Sequence, residues 1–145
     1  MANSPPSSAL NNPSQSTDMA EDLLLARRAI EASFSGIMLT DGQSRILKTN
    51  PAFTRILGYA ENEVLGKTPG FLRSGSHEQA FYDEIWHAVE KNDFWMGEVL
   101  TRCKDGNVLP MKHSITAFRD TSGAVSHYIG VFEDISEKEN TKALL

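Results

Sequence analysis

Residues 94–136 read FWMGEVLTRCKDGNVLPMKHSITAFRDTSGAVSHYIGVFEDIS, and this stretch decides the fold. It breaks at Asp105-Gly106 and at Thr121-Ser122-Gly123 into runs from Phe94 to Lys104, Val108 to Arg119 and Ala124 to Glu133. Asp-Gly between alternating apolar runs is a strong hairpin signal, so three consecutive antiparallel strands are predicted. Alternation sorts their faces. Trp95, Gly97, Val99, Thr101 and Cys103 share one face of the first strand, and Glu98 and Arg102 take the other. Leu109, Met111, His113 and Ile115 face together on the second strand. The third is apolar on both sides, Tyr128 and Phe132 against Ile129 and Val131, and such a strand needs cover on both faces. The stretch runs into Asp134-Ile135-Ser136-Glu137, an Asp followed three residues later by a Glu. That spacing resembles a capping box and predicts a helix leaving the last strand.

Upstream, residues 1–17 are mostly Ser, Asn, Pro and Gln and bury too little apolar surface to fold, so they are expected to form a disordered leader. Asp18 and Glu21 can cap a helix over 18–33 that carries Leu23, Leu24, Ala26 and Ile30 at helical spacing. Gly36 to Thr40 and Arg45 to Thr49 read as short strands joined by Asp41-Gly42. Asn50 suits a helix cap and Pro51 a first helical position, with Phe53, Ile56 and Leu57 inward and Gly58 as the stop. Ala60 to Leu65 makes a short helical turn, 67–75 a loop, and Ser76 opens a helix through about Lys91 with Phe81, Ile85, Trp86 and Val89 on its apolar side. The order predicts an α+β fold: a five-stranded antiparallel sheet with helices on one face, flanked by N-terminal and C-terminal helices. The expected core spans 34–135, and the trailing helix 136–145.

The composition narrows the function. A chain of 145 residues holds one ordinary domain, and a net charge of -5 gives no electrostatic reason for a nucleic acid or an anionic membrane as partner. No apolar run approaches the roughly 18 to 20 residues of a membrane span, and no basic segment leads an apolar one as in a signal peptide. The single cysteine, Cys103, excludes an internal disulfide and fits a reducing, cytoplasmic setting. Catalytic signatures are missing: there is no nucleophile elbow, phosphate loop or His-Glu-x-x-His helix. Ser114 falls on the sheet face opposite His113 and cannot partner it. No pair among His77, His87, His113 and His127 has zinc-site spacing. Neither an enzyme nor a metal site is expected.

The pattern resembles a PAS domain, a sensory module of bacterial signalling proteins, over about residues 21–136. The resemblance rests on Ser35-Gly36-Ile37, Asn50-Pro51-Ala52-Phe53, Gly58-Tyr59, Glu63-Val64-Leu65-Gly66, Phe81-Tyr82, Trp95-Met96-Gly97-Glu98, Arg102-Cys103-Lys104-Asp105-Gly106 and Gly130-Val131-Phe132-Glu133-Asp134-Ile135-Ser136, in that order. Ser74-Gly75-Ser76-His77 ahead of Phe81-Tyr82 looks like the PAS domains that precede diguanylate cyclase and phosphodiesterase units, and like those of flavin-binding nitrogen-fixation redox regulators. The resemblance implies a pocket between helices and sheet and a homodimer formed partly by flanking helices. It also implies an output domain, in the same polypeptide or on a partner, driven through Asp134, Ile135 and Ser136. Leu23, Leu24, Ile30, Ile129 and Val131 are the expected dimer contacts.

Light-sensing flavin relatives carry a reactive cysteine where Pro69 stands here, so the resemblance implies no covalent flavin adduct. Their three flavin-holding polar side chains correspond to Thr101, Met111 and Phe132, and an unpaired flavin edge would cost roughly 1–3 kcal/mol per group. In the redox regulators a tryptophan, a loop glutamate and a strand asparagine match Trp86, Pro69 and Thr101, so only the tryptophan persists and FAD stays an open cofactor. Trp86 reads more simply as core. Haem relatives place their histidine near Phe81-Tyr82, which His77 and His87 flank without filling. His113 should point into the pocket, with a core histidine hydrogen-bonded to a neighbour as its plainer reading. The remaining option is a small apolar or weakly polar ligand among Ile37, Leu39, Phe53, Leu57, Trp86, Val99, Thr101, Leu109, Met111, His113, Tyr128 and Phe132. The same residues could instead fill the core of a cofactor-free scaffold for dimerisation and protein interaction.

Overall fold

The computed structural model of the chain describes residues 13–137, with side chains from residue 17 on. The chain divides into two units, with the boundary in sequence between Ala32 and Ser33. The first holds α1 (Pro13–Ala32), whose turns carry an exposed Arg27–Glu31 ion pair at 3.2 Å. This helix begins at Pro13, inside the stretch expected as a leader over 1–17; the part of that leader before residue 13 lies outside the described residues. Proline is tolerated in a first helical turn because its missing N–H would go unbonded there anyway.

The second unit starts with β1 (Gly36–Asp41) and β2 (Ile46–Thr49), joined by a turn in which Asp41 Oδ1 accepts from the N–H groups of Gln43 and Arg45 at 2.9 Å each. Asn50 then caps α2 (Pro51–Leu57), its Oδ1 accepting from Phe53 N–H at 3.0 Å. The same oxygen accepts from Ile37 N–H at 2.7 Å, while Nδ2 donates to Ser35 O at 3.0 Å, so one side chain ties the helix start to the first strand. Next come α3 (Glu61–Val64), a 3-10 turn over Pro69–Leu72, and α4 (Gln79–Asn92). The long helix starts three residues after the expected Ser76. Ser74 Oγ takes the Ser76 N–H at 3.1 Å, and His77 Nε2 accepts the Leu100 N–H at 2.9 Å, which holds this segment out of the helix.

Three strands complete the unit: β3 (Phe94–Arg102), β4 (Val108–Arg119) and β5 (Val125–Asp134). Gly106, at φ +91°, closes the first turn by donating its N–H to Cys103 O at 2.9 Å. Gly123, at φ +88°, closes the second on Asp120 O at 3.0 Å. The antiparallel sheet has the order β2-β1-β5-β4-β3, so the last strand lies at its centre. The fold is the expected α+β arrangement, a five-stranded antiparallel sheet with helices packed on it.

Two apolar clusters form the core. One joins Met38, Ile46, Phe53, Leu57, Val64, Leu72, Cys103, Met111 and Phe132. The other, under α4, joins Ile85, Val89, Val99, Ile115 and Ala117. At the chain's exit, Asp134 Oδ1 accepts from Ser136 N–H at 2.9 Å and from its hydroxyl at 2.6 Å, as a helix cap does, and residues 136–137 are helical. The rest of the expected trailing helix lies outside the described residues. Among the described residues no helix is long and apolar enough to cross a membrane.

Candidate functional site

The two clusters do not fuse, and a cavity of about 160 Å³ occupies the seam. Met38, Leu72 and Phe132 reach it from the first cluster, and Ile85, Val99 and Ile115 from the second. The loop over the 3-10 turn adds Pro69, Gly70 and Arg73, and α4 adds Tyr82 and Trp86. An isolated bridge between Arg73 and Thr101 pins this loop to the β3 edge. Gly130 leaves room at the sheet wall: a Cβ there would lie 3.4 Å from both His113 Nε2 and Met38 Cε.

Of the residues anticipated from the sequence, Trp86, Val99, Thr101, His113, Tyr128 and Phe132 stand on the cavity wall. Ile37 and Leu39 do not. They pair with Val131 and Ile129 and so share the opposite sheet face, while Met38 and Thr40, opposite Gly130 and Tyr128, face the cavity. Ile37, Met38 and Leu39 are all apolar, so alternation within β1 could not choose its face. The pairing with β5 does, because directly opposed residues lie on one side of a sheet. Phe53, Leu57 and Met111 are fully buried in the first cluster, and Leu109 packs beside them. Ile85 and Ile115, expected only as inward residues, are wall residues too. Arg73 and the 3-10 turn were missed, since a loop without periodicity gives no facing signal, and Tyr82 on α4 was missed beside the apolar stripe of Phe81, Ile85 and Trp86.

His113 is the central polar group. Its ring stacks on Phe132 and meets the edge of Trp95 with centroids 6.4 Å apart. Its Nε2 is buried with no hydrogen-bond partner, which corrects the plainer reading of a core histidine bonded to a neighbour. Burial alone pushes its pKa from 6.5 down to about 4, so the ring is neutral at physiological pH. Tyr82 Oη is buried and unpartnered as well. The Arg73 guanidinium lies 4.0 Å from the centre of the Tyr82 ring and donates to Gln79 Oε1 at 3.0 Å. Thr101 Oγ1 reaches only the carbonyl of Val99, at 3.4 Å. Trp86 is 37% exposed, so the core reading does not hold for it, and it meets Tyr128 edge-on at 5.3 Å.

The other histidines are engaged elsewhere. His77 stacks on Phe81 at 4.0 Å, His87 is exposed, and His127 Nδ1 lies 3.0 Å from Ser126 Oγ. No group of three or more metal-ligating side chains gathers among the described residues. Cys103 is buried beneath α2, its Sγ 3.6 Å from Ile56 O, and burial raises its thiol pKa, with Asp105 and Asp134 adding to the rise. The expected dimer residues divide between Leu23, Leu24 and Ile30, exposed on α1, and Ile129 and Val131, half-buried on the sheet face away from the cavity.

The cavity wall leads directly to the chain's exit. His113 pairs with Phe132 and Met111 with Asp134 across β4 and β5, and Ile135, buried, donates its N–H to Pro110 O at 3.2 Å.

Comparison with known proteins places this architecture. A nitrogen fixation regulatory protein of Klebsiella pneumoniae is 30% identical over 107 residues, which is 74% of this chain and 22% of that protein. The chain thus spans less than a quarter of that curated relative. Among solved structures, the PAS domain of a Colwellia psychrerythraea protein superposes with a TM-score of 0.74 at 22% identity, covering 80% of this chain and 98% of that one. An RNA-binding light-oxygen-voltage receptor superposes with a TM-score of 0.75 at 26% identity, covering 87% of this chain and 38% of that one. The family profile described as PAS domain matches residues 35–137, from the residue before the first strand to the helical turn after the last. A match of that span leaves one conclusion, that the chain belongs to the PAS domain family.

Proposed function

We propose that this chain is a sensory signal-transduction module. A small ligand or a redox change in the cavity alters β4 and β5 and is relayed through Asp134, Ile135 and Ser136 to the flanking helices. From there it passes through a homodimer to an output domain, such as a cyclic-di-GMP enzyme or a kinase, in the same polypeptide or on a partner. The module itself does no catalysis, and its setting is cytoplasmic. The observation that carries this reading is the Phe132–His113 pair, which forms cavity wall two residues before the exit cap. The regulatory name of the Klebsiella relative agrees with it.

Flavin is the occupant suggested by the likeness to light-oxygen-voltage proteins, one of them a domain studied with a flavin analogue. The wall residues do not fit it as they stand. A cavity of about 160 Å³ is small beside the roughly 300–1,000 Å³ of pockets for drug-sized ligands. No Asn or Gln lines it among the described residues, Met111 is sealed in the core, and Phe132 is stacked on His113. A cofactor-free scaffold with a filled core is the weaker reading, because the core holds a cavity with buried polar atoms unpaired.

Amide exchange tests the relay. Filling the cavity should change protection at Ile135, whose N–H bonds across to Pro110. Exit amides that ignore an occupied cavity would overturn the sensing reading. For the dimer, Ile129→Asp should yield a folded monomer by sedimentation. A parent protein that is already monomeric would remove the interface.

A further inference from the structure

We propose that the cavity's natural occupant is a small uncharged aromatic monocycle carrying one hydrogen-bonding substituent, a ligand of phenol type. The inference rests on the sensing reading above and names the ligand class for that same site.

Size comes first. A cavity of about 150 Å³ lined by aliphatic and aromatic groups stays dry and accepts benzene. The present cavity, at about 160 Å³, matches that scale, and its walls are chiefly Ile85, Val99, Ile115, Phe132 and Trp86. One ring fits without moving either apolar cluster.

Polarity comes next. A purely apolar site would leave no wall atom wanting. Here His113 Nε2 and Tyr82 Oη are both buried and unpaired, one on the sheet and one on α4. Each such orphan carries the desolvation penalty of an unmade hydrogen bond, relieved when an occupant supplies the missing partner. A hydroxyl can donate and accept, so it serves a neutral imidazole in either tautomer.

Charge decides the rest. Among the described residues no buried cation faces the cavity: His113 is neutral, and Arg73 is exposed, lying over Tyr82 and donating to Gln79. A carboxylate on the ring would be desolvated with no buried counter-ion, which disfavours anionic ligands.

The test is an NMR titration of the whole chain at neutral pH with phenol, toluene and benzoate as probes. Phenol should shift the His113 side-chain nitrogen resonances and the amides of Val99 and Ile115, and bind at least about tenfold more tightly than toluene. Benzoate should bind more weakly than either. In His113→Phe the advantage of phenol over toluene should vanish while toluene still binds. Tyr82→Phe should reduce the same advantage and serves if the strand variant does not fold. The proposal is overturned if toluene or benzoate binds as well as phenol, if no probe binds, or if denaturing the purified protein releases a flavin. Flavin release, or benzoate binding that moves the exit amides, would leave the sensing reading standing. Phenol binding with the exit amides unmoved would keep the ligand class and remove the relay.

Discussion

The imidazole of His113 lies against the ring of Phe132, with centroids 4.2 Å apart and planes 19° from parallel. The two residues are also direct cross-strand partners on β4 and β5. A titratable ring with an unpaired nitrogen is therefore fixed to the strand that leads out of the domain.

Stability should fall with acid. The His113 pKa drops from 6.5 to about 4 on folding, through burial alone. Between those values the unfolded chain holds a proton that the native ring refuses, so stability rises with pH across this window. His113's contribution is complete above 6.5 and lost as pH falls toward 4, amounting to up to about 3 kcal/mol. Urea midpoints across this range should show the decline, and His113→Leu should flatten it. A wild-type curve no steeper than that of the variant would refute the assignment.

Asn50→Ala should cost about 2–3 kcal/mol, more than an ordinary cap, because the bonds to Phe53, Ile37 and Ser35 go together. Asn50→Asp keeps the acceptor oxygen and loses the donation to Ser35, so it should cost less. Chemical denaturation of the two variants compares them directly.

Asp134→Ala removes the acceptor for both the Ser136 N–H and its hydroxyl. The expected loss is about 1 kcal/mol, confined to the exit turn and visible as faster amide exchange there with the sheet unchanged. Asp134→Asn should restore most of the protection. If the alanine variant also loosened β1, the cap would not be a local device.

Cys103 should react sluggishly in the native protein. Burial raises its thiol pKa, and the thiolate is the reactive form. A thiol reagent should modify it many times faster in urea than in buffer. Equal rates would show that the floor beneath α2 opens freely.

The sequence and the structure part company where local pattern and tertiary bonds compete. The limits of β4 were readable because Asp105-Gly106 and Thr121-Ser122-Gly123 punctuate it on both sides. The cap at Asn50 was readable because the side chain acts on its own neighbours. The face of β1 was not, since Ile37, Met38 and Leu39 offer no contrast and only the register with β5 chooses among them. The start of α4 was misread because His77 is drawn away by a strand amide 23 positions later. Alternation put His113 on one face with Leu109, Met111 and Ile115, and the family resemblance put a pocket against the sheet. That the histidine's nitrogen would lack a partner depends on what every other wall residue does.

The place of β5 between β1 and β4 bears on how such a protein comes into being. The two hairpins, β1-β2 and β3-β4, can each close early, but they share no edge until the final strand slides between them. On a ribosome, the sheet stays in two pieces until residue 134 has emerged, and sheets closed by such distant pairings assemble slowly. Both waiting hairpins expose open edges during that interval, the situation in which chaperones matter most. Because β5 supplies Tyr128, Gly130 and Phe132 to the cavity, a chain cut short of it has neither a joined sheet nor a complete cavity wall.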